Sequence, residues 1–258
     1  MKASEFRQIL GIRFYVGDLD GLLDLAMKGG LIVVPSAPVL ADLSKDTAHR
    51  EAIERSDIAV TDSGFMVLLW ALMEREWIHR ISGLRFLRGL LERPEFRQPG
   101  ASFWIMPGEA DGAHNRAWLR GNGCPVEPAD CFVAPQYPKG KLEDFELLAR
   151  IEERKPQFVL INVGGGVQER LGYFLRTRLS YQPAIICTGA AIAFLSGKQT
   201  RIPVWADRFV LGWLLRSMGQ PTRFVPRYVK SLKAAPLLWR QRSRSLVPME
   251  NPLIPDET

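Results

Sequence analysis

The sequence predicts an α/β protein, and two observations support this prediction. Up to about residue 197, short β-branched apolar runs alternate with longer segments of helical periodicity. Beyond that point the strand signal stops, and basic, Trp-rich segments of helical character follow. Alternating strands and helices are typical of a parallel sheet covered on both faces. We therefore expect a Rossmann-like, mostly parallel sheet in residues 1–197, a basic amphipathic helical appendage in residues 198–246, and a Pro-rich, acidic, disordered end in residues 247–258.

The expected elements follow one another in order along the chain. Strands are predicted at residues 31–34, 58–61, 102–106, 158–163 and 184–187. Helices are predicted at residues 38–55, 64–75, 109–121, 142–153 and 167–179. Short apolar runs suit strands that are buried on both faces, whereas the longer periodic segments suit the helices that cover them. Pro- and Gly-containing stretches at residues 92–100 and 134–140 predict surface connections.

The positive charge of the chain is concentrated in the predicted appendage. Residues 198–245 hold eleven Lys or Arg and one Asp, whereas the rest of the chain is close to neutral. Trp205, Phe209 and Trp213 recur every four residues among arginines, so this helix can dock on its own domain, lie in a lipid interface or clamp a diphosphate. No recognisable nucleic-acid module accompanies the charge, which favours a phosphorylated ligand or an anionic membrane surface over nucleic acid.

Other classes of protein are disfavoured by what the sequence does not contain. No run reaches the ~18 uncharged apolar residues of a membrane-spanning helix, and the amino terminus lacks the apolar core of a signal peptide, so we expect a cytoplasmic location. The three cysteines have no metal-ligand spacing, which predicts reduced, structural thiols. The three histidines have no companion carboxylates at ligand spacing, so neither a protein-ligated metal nor a cofactor is expected.

Polar or glycine residues follow the predicted strands. Asp62 ends the second strand, and Ser36, Gly108, Gly164 and Gly189 follow others. Open α/β sheets bind ligands at the edge where the carboxyl ends of parallel strands meet, so these residues predict a cleft. Glycine turns there let backbone N–H groups approach an anion. For Asp62 two roles stay open, chemistry in the cleft or N-capping of the next helix.

Three common site classes lack their sequence signatures. Residues 164–166 do not fit the G-x-G-x-x-G pattern of dinucleotide sites, and no G-K-[ST] or G-x-S-x-G sequence occurs. Dinucleotide, triphosphate and Ser-His-Asp hydrolase sites are therefore disfavoured.

Several blocks, in this order and spacing, resemble the WecG/TagA/CpsF glycosyltransferases (glycosyltransferase family twenty-six) over roughly residues 9–230. The blocks of the catalytic unit read Val-Thr-Asp-Ser-Gly at residues 60–64, Arg-Ile-Ser-Gly at 80–83, Asn-Val-Gly-Gly-Gly-Val-Gln-Glu at 162–169 and Gly-Ala-Ala-Ile-Ala-Phe-Leu-Ser-Gly at 189–197. In the tail, the family pattern Arg-x-Pro-x-Trp, Trp-Leu-x-Arg and Pro-x-Arg is matched between residues 201 and 223. The order of the blocks is specific, although a single block is not.

The resemblance implies an inverting, metal-independent enzyme of cell-surface polysaccharide synthesis. It would move a sugar from a UDP-sugar to a polyprenyl-diphosphate-linked acceptor, as a peripheral protein on the inner face of the plasma membrane. Asp62 would be the general base. The donor site in the catalytic domain would be formed by Ser36, Arg80, Gly83, Gly108, Gly164, Gln168, Glu169 and Gly189. The appendage would contact the membrane and would neutralise the diphosphate through Arg201, Arg208, Arg216, Arg223 and Arg227.

The chain departs from the family pattern at positions that bear on the donor pocket. The family residues Asn, Asp, Ser-Pro, Glu and an acidic residue are replaced by Ser36, Ala193, Gly165-Gly166, Gly212 and Arg85. These changes keep the expected base but alter the polarity around it. They leave a second hypothesis open, a non-catalytic nucleotide-sugar-binding subunit recruited to the membrane. A third and weaker hypothesis is an NAD-type oxidoreductase.

Overall fold

The computed structural model describes residues 5–199, residue 229 and residues 234–241. The strands in these residues are β1 (Phe6–Ile9), β2 (Ile12–Tyr15), β3 (Gly30–Val33), β4 (Ile58–Val60), β5 (Ser102–Met106), β6 (Cys131–Val133), β7 (Phe158–Ile161) and β8 (Ala184–Cys187). They form one sheet in the order β1-β2-β4-β3-β8-β7-β5-β6. The β1–β2 pair is antiparallel and every other pair is parallel. The carboxyl ends of β3, β4, β5, β7 and β8 therefore share one edge.

Helices connect the strands and cover the sheet. They are α1 (Leu19–Ala26), α2 (Ala37–Ala41), α3 (Thr47–Glu54), α4 (Gly64–Glu74), α5 (Gly83–Glu92), α6 (Glu109–Gly121), α7 (Phe145–Arg154), α8 (Val167–Arg178), α9 (Ala191–Leu195) and α10 (Ala234–Gln241). Two 3₁₀ turns, Pro94–Arg97 and Pro128–Asp130, lie in the connections before β5 and before β6.

The central strands are buried on both faces, as their continuous apolar runs predict. In β3, Leu31 and Val33 pack into one hydrophobic cluster, whereas Ile32 packs into another on the opposite face. Successive strand side chains point to opposite faces, so each strand supplies both clusters. The predicted Rossmann-like sheet with helices on both faces is confirmed.

Some predicted elements match the structure and others differ. The bounds of β5, α6 and β8 agree with the prediction. The single helix predicted at residues 38–55 is wrong, because the chain forms α2 and α3 with a turn between them. The side chain of Asp46 accepts a hydrogen bond from the His49 N–H at 3.0 Å and thereby starts a new helix. Strands β1, β2 and β6 and helices α1 and α9 were not predicted.

Most of the predicted appendage lies outside the described residues, including the expected aromatic helix around Trp205. The end at residues 247–258 also lies outside them. Helix α10 is described, and it packs against α2 and α4. Its Leu238 is buried in the same cluster as Leu31. Within the part of the chain that the structure describes, every helix is too short or too polar to cross a bilayer.

Candidate active site

A cleft of about 560 Å³ lies at the carboxyl edge of the sheet, where the sequence predicts it. Five strands contribute to its lining through the residues that follow them, namely Ser36, Asp62, Pro107, Gly164 and Gly189. Four of these five residues are glycine or have a short polar side chain, so polar groups and backbone line the cleft together with apolar side chains such as Leu84 and Phe194. Such a surface suits a polar ligand.

Asp62 lies at the edge of this cleft and is held by the loop that precedes α5. Its Oδ1 accepts a hydrogen bond from the backbone N–H of Gly83 at 3.0 Å. Arg80 donates from Nε to the carbonyl oxygen of Asp62 at 2.7 Å, and its Nη2 lies 3.8 Å from Oδ1. The carboxylate is thus placed at the positive amino end of α5. The second oxygen, Oδ2, has no hydrogen-bond partner among the described residues, so it is available to a ligand.

The structure tests one of the two roles that the sequence left open for Asp62, the N-capping of the next helix. The N-cap of α4 is Ser63, whose Oγ accepts the N–H of Met66 at 3.2 Å. The N-cap of α5 is Ser82, whose Oγ accepts the N–H of Arg85 at 3.2 Å. The interpretation of Asp62 as the cap of the next helix is therefore wrong, and its carboxylate faces the cleft edge instead.

The turn before α8 is organised by a buried acid. Gly166 is the N-cap of α8 and has φ +87°, a conformation that favours glycine. Glu169 is fully buried; its Oε2 accepts the N–H of Gly166 at 2.5 Å, and its Oε1 accepts the side-chain amide of Gln168 at 2.9 Å. Gln168 lines the cleft, whereas Glu169 lies behind it. His49 Nε2 lies 3.6 Å from Glu169 Oε2, so the fold supplies a histidine–carboxylate pair that spacing along the chain did not suggest.

Several further polar residues line the cleft and were not among the predicted site residues, and two of them directly follow a strand. They are Asn162, which follows β7, and Thr188, which follows β8. Asn162 Oδ1, Thr188 Oγ1 and Gln168 Oε1 are buried and, within the described residues, have no hydrogen-bond partner. A buried polar group left unpaired costs about 1–3 kcal/mol, so these atoms are expected to bind a ligand or water. Their position after apolar strands, the same signal that selected Asp62, could have identified them.

The mouth of the cleft carries an ion pair. The Nζ of Lys198 contacts a carboxylate oxygen of Asp111, near the start of α6, and both residues line the cleft. Neither residue was predicted as part of the site. Among the side chains that the structure describes, no group of three or more His, Cys, Asp or Glu is placed to hold a metal ion.

The thiol beneath the cleft is structural. Burial raises the pKa of Cys187 well above its usual value, and its Sγ donates to the carbonyl oxygen of Gln168 at 3.3 Å. A thiol that stays protonated is a poor nucleophile. All three cysteines are free, in agreement with the prediction of reduced, structural thiols.

The predicted site residues fall into three groups. Those that line the cleft are Asp62, Ser36, Gly83, Gly164, Gln168 and Gly189. Those that adjoin residues of the lining are Arg80, Gly108 and Glu169. The predicted diphosphate ligands lie outside the described residues, namely Arg201, Arg208, Arg216, Arg223 and Arg227.

Comparison with known families adds an independent finding. Residues 7–247 match the model of the family described as Glycosyl transferase WecG/TagA/CpsF. The match covers nearly the whole chain, including all of the blocks on which the resemblance was based. The chain finds no match among curated proteins. The resemblance inferred from the motifs is confirmed.

Proposed function

We propose that this chain, which belongs to the WecG/TagA/CpsF glycosyltransferase family, transfers a sugar from a UDP-sugar to a polyprenyl-diphosphate-linked acceptor in cell-surface polysaccharide synthesis. The observation that carries the proposal is the carboxylate of Asp62 at the cleft edge, fixed through one oxygen by Gly83 with the other available. A positioned carboxylate of this kind suits a general base.

The proposed reaction is a single displacement. Asp62 Oδ2 takes the proton of the acceptor hydroxyl as that oxygen forms a bond to the anomeric carbon of the donor sugar. The bond between that carbon and the phosphate oxygen breaks, and UDP leaves with the electron pair. Attack from the face opposite UDP inverts the anomeric configuration. The other carboxylate lining the described cleft, Asp111, contacts Lys198, which supports one catalytic carboxylate rather than a nucleophile and acid pair.

In this proposal protein groups, and no metal, stabilise the negative charge that develops on UDP. The glycine turn at residues 164–166 lies at the amino end of α8, where the helix dipole favours an anion. Glu169 already accepts the N–H of Gly166, so the proposal assigns the N–H groups of Gly164 and Gly165 to the anion. The proposal assigns the remaining neutralisation to the tail arginines Arg201, Arg208, Arg216, Arg223 and Arg227. Residues 1–197 form the catalytic domain in this proposal, and residues 198–246 form the appendage.

A surface patch supports the proposed membrane location of the acceptor. Leu68, Leu72 and Trp77, on or just after α4, and Trp239 on the adjacent α10 are all more than half exposed. We call these four residues the apolar patch. Helix α4 begins two residues after Asp62, so the apolar patch lies on the helix that leads away from the proposed base. Exposed Trp and Leu side chains, in a chain whose sequence is strongly basic between residues 198 and 245, suit an anionic lipid surface on the cytoplasmic face of the membrane.

The membrane assignment is tested with anionic vesicles. Leu72→Glu places a charge in the apolar patch and should lower vesicle affinity about tenfold, since burying a leucine contributes about 1.5–3 kcal/mol. Phe145→Glu on α7 is the matched control, because Phe145 is similarly exposed but lies outside the apolar patch. Equal binding by both variants and the unmodified protein in a sedimentation assay would contradict the assignment.

The activity is tested by a donor screen. Purified protein is mixed with a polyprenyl-diphosphate-linked sugar and a panel of UDP-sugars, and UDP release is measured. We expect release with one donor or a few related donors, dependent on the acceptor. No release with any donor, together with no binding, would sink the proposed function.

A second candidate function is a non-catalytic nucleotide-sugar-binding subunit recruited to the membrane. It is favoured by Ser36 and Ala193, which line the cleft where the resembling family pattern has Asn and Asp. Calorimetric titration separates it from the enzyme. Tight binding of UDP-sugars without turnover across the donor panel would support the subunit, and acceptor-dependent release of UDP would exclude it.

A further inference from the structure

The side-chain amide of Gln168 has a defined polarity. Its Nε2 donates to Glu169 Oε1 at 2.9 Å, and Glu169 is fully buried. The nitrogen Nε2 carries the only donors of this amide and the carboxylate oxygen Oε1 accepts, so the amide nitrogen faces Glu169. Turning the amide over would place two acceptor oxygens against each other. The Gln168 oxygen is therefore directed away from Glu169, and it lies beside Gly189, a residue of the cleft lining.

Glu169 is itself held in place from two sides. Its Oε2 accepts the N–H of Gly166 at 2.5 Å, which ties the carboxylate to the glycine turn. On the far side, the buried His49 of α3 brings Nε2 to 3.6 Å from the same oxygen. These contacts fix one oxygen, so the other remains directed at Gln168.

Asn162 has the same polarity as Gln168. Its Nδ2 donates to the carbonyl oxygens of Ile105 at 3.3 Å and Leu160 at 3.2 Å, so Oδ1 is the part of the amide left to bind a ligand. Both amide oxygens are buried without a hydrogen-bond partner in the described residues. This part of the cleft presents acceptors, which repel a phosphate and attract a group that carries an O–H.

We propose that Glu169, backed by His49, is a positioning residue that turns the oxygen of Gln168 toward the cleft, and that the oxygens of Gln168 and Asn162 bind a hydroxyl of the sugar nucleotide. This inference rests on the proposed function for the identity of the ligand. The hydroxyl belongs either to the ribose or to the transferred sugar, and both present the same donor chemistry. The diphosphate stays assigned to the neighbouring glycine turn and the tail arginines, and not to these two oxygens.

A double-mutant cycle tests the proposal with UDP and with a UDP-sugar that the protein binds. Glu169→Gln keeps the shape of the side chain but leaves one acceptor oxygen for the two donors, Gly166 N–H and Gln168 Nε2, so the polarity of Gln168 is no longer fixed. We expect about tenfold weaker binding by calorimetry, the loss of roughly one hydrogen bond. In a Gln168→Met background the same change should weaken binding less than about twofold, because Glu169 acts through Gln168. Glu153→Gln is the control, since it makes the same charge change at an exposed position on α7.

The outcomes of the cycle separate the possibilities. If Glu169→Gln loses affinity for the UDP-sugar alone, the hydroxyl belongs to the transferred sugar. If it loses affinity equally for UDP, the hydroxyl belongs to the ribose, and both results support the proposal. The proposal would be overturned if Glu169→Gln weakened binding equally in the unmodified protein and in the Gln168→Met background. Unchanged affinity in a folded Glu169→Gln variant would also overturn it.

Absence of binding by every UDP-sugar would count against the proposed function and not against the fixed polarity of Gln168. A measurement without ligand tests that polarity directly. The side-chain NH₂ of Gln168 should exchange with solvent at least tenfold more slowly than an exposed glutamine amide, because it is buried and bonded to Glu169. Glu169→Gln should remove that protection, as followed by ¹⁵N NMR. If Glu169→Gln does not fold, the unmodified protein still tests the proposal, since fast exchange of this amide would refute the fixed polarity.

Discussion

The adjacent residues Asp62 and Ser63 should separate catalysis from helix capping when each is changed alone. Ser63→Ala removes the hydroxyl that accepts the N–H of Met66 at 3.2 Å and leaves that donor unpaired at a buried site. The loss of an N-cap costs about 1 kcal/mol. For a chain of this size, that cost lowers Tm by roughly 2–4 °C. We expect activity to remain within about twofold, because the hydroxyl contributes to the helix and not to the proposed reaction.

Asp62→Asn should have the opposite effect on activity and remove most of it. The asparagine oxygen can still accept the N–H of Gly83, which the aspartate accepts at 3.0 Å, so the loop before α5 stays in place. What is lost is the interaction of a negative charge with the amino end of α5, about 0.3–1 kcal/mol, and with Arg80, whose Nη2 lies 3.8 Å from Oδ1, about 0.2–1 kcal/mol. The amide cannot take a proton from the acceptor, so the rate should fall at least ~100-fold.

Both variants are compared by differential scanning calorimetry and by acceptor-dependent UDP release at saturating donor. We expect a stability loss on the order of 1 kcal/mol in each variant, with activity retained in Ser63→Ala and lost in Asp62→Asn. A Ser63→Ala variant as inactive as Asp62→Asn would refute the separation, and an active Asp62→Asn would refute the assignment of the base.

Three further predictions concern packing, thiol chemistry and pH. A Cβ on Gly172 would lie 2.7 Å from a methyl carbon of Leu31, so Gly172→Ala should lower the free energy of unfolding in urea by about 1–3 kcal/mol. Gly121 has open space around it, so Gly121→Ala should raise that free energy by up to about 1 kcal/mol. Equal effects of the two substitutions would contradict the packing. The thiol of Cys187, whose pKa burial raises, should react with a chromogenic disulfide only after unfolding, and rapid reaction of the native protein at this residue would contradict its burial. The hydrogen bond from Arg7 lowers the pKa of Glu76 below its ordinary value of 4.5, so Glu76→Gln should cost about 0.2–1 kcal/mol at pH 7. This cost should shrink as the pH falls below 4.5 and vanish below the depressed pKa. Urea unfolding over a pH series from 7 downward tests this, and a cost that does not change with pH would contradict it.

The sheet was predictable because its signals are local. Continuous apolar runs identified β3, β4, β5, β7 and β8, and the residues following them gave the cleft edge. The β1–β2 hairpin was missed because its turn is Leu10-Gly11, with φ values of 56° and 78°. Positive φ at both central positions usually accompanies Asn-Gly or Asp-Gly, and a leucine there gives no turn signal. Strand β6 is as short as β4, but it lies at the edge of the sheet and only Phe132 is buried, whereas all three residues of β4 are buried.

The details of the site depend on contacts that no local pattern encodes. Spacing showed no partner for His49, yet the packing of α3 on α8 brings it to Glu169, which is 120 positions away in the chain. Sequence order placed Gln168 and Glu169 together in the donor site, but the fold directs one to the cleft and buries the other behind it. Both Asp62 and Ser63 are residue types that can cap the helix that follows, so the sequence alone did not show which of them does. The backbone geometry makes Ser63 the cap and leaves Asp62 at the cleft.

A single displacement with Asp62 as the base is the central claim, and the anomeric configuration of the product tests it most directly. The donor identified in the screen is labelled with ¹³C at the anomeric carbon and incubated with the lipid-linked acceptor. The one-bond coupling between that carbon and its hydrogen is then read by NMR. A single displacement predicts that an α-configured UDP-sugar gives a β-linked product. A product that retains the α configuration would contradict it.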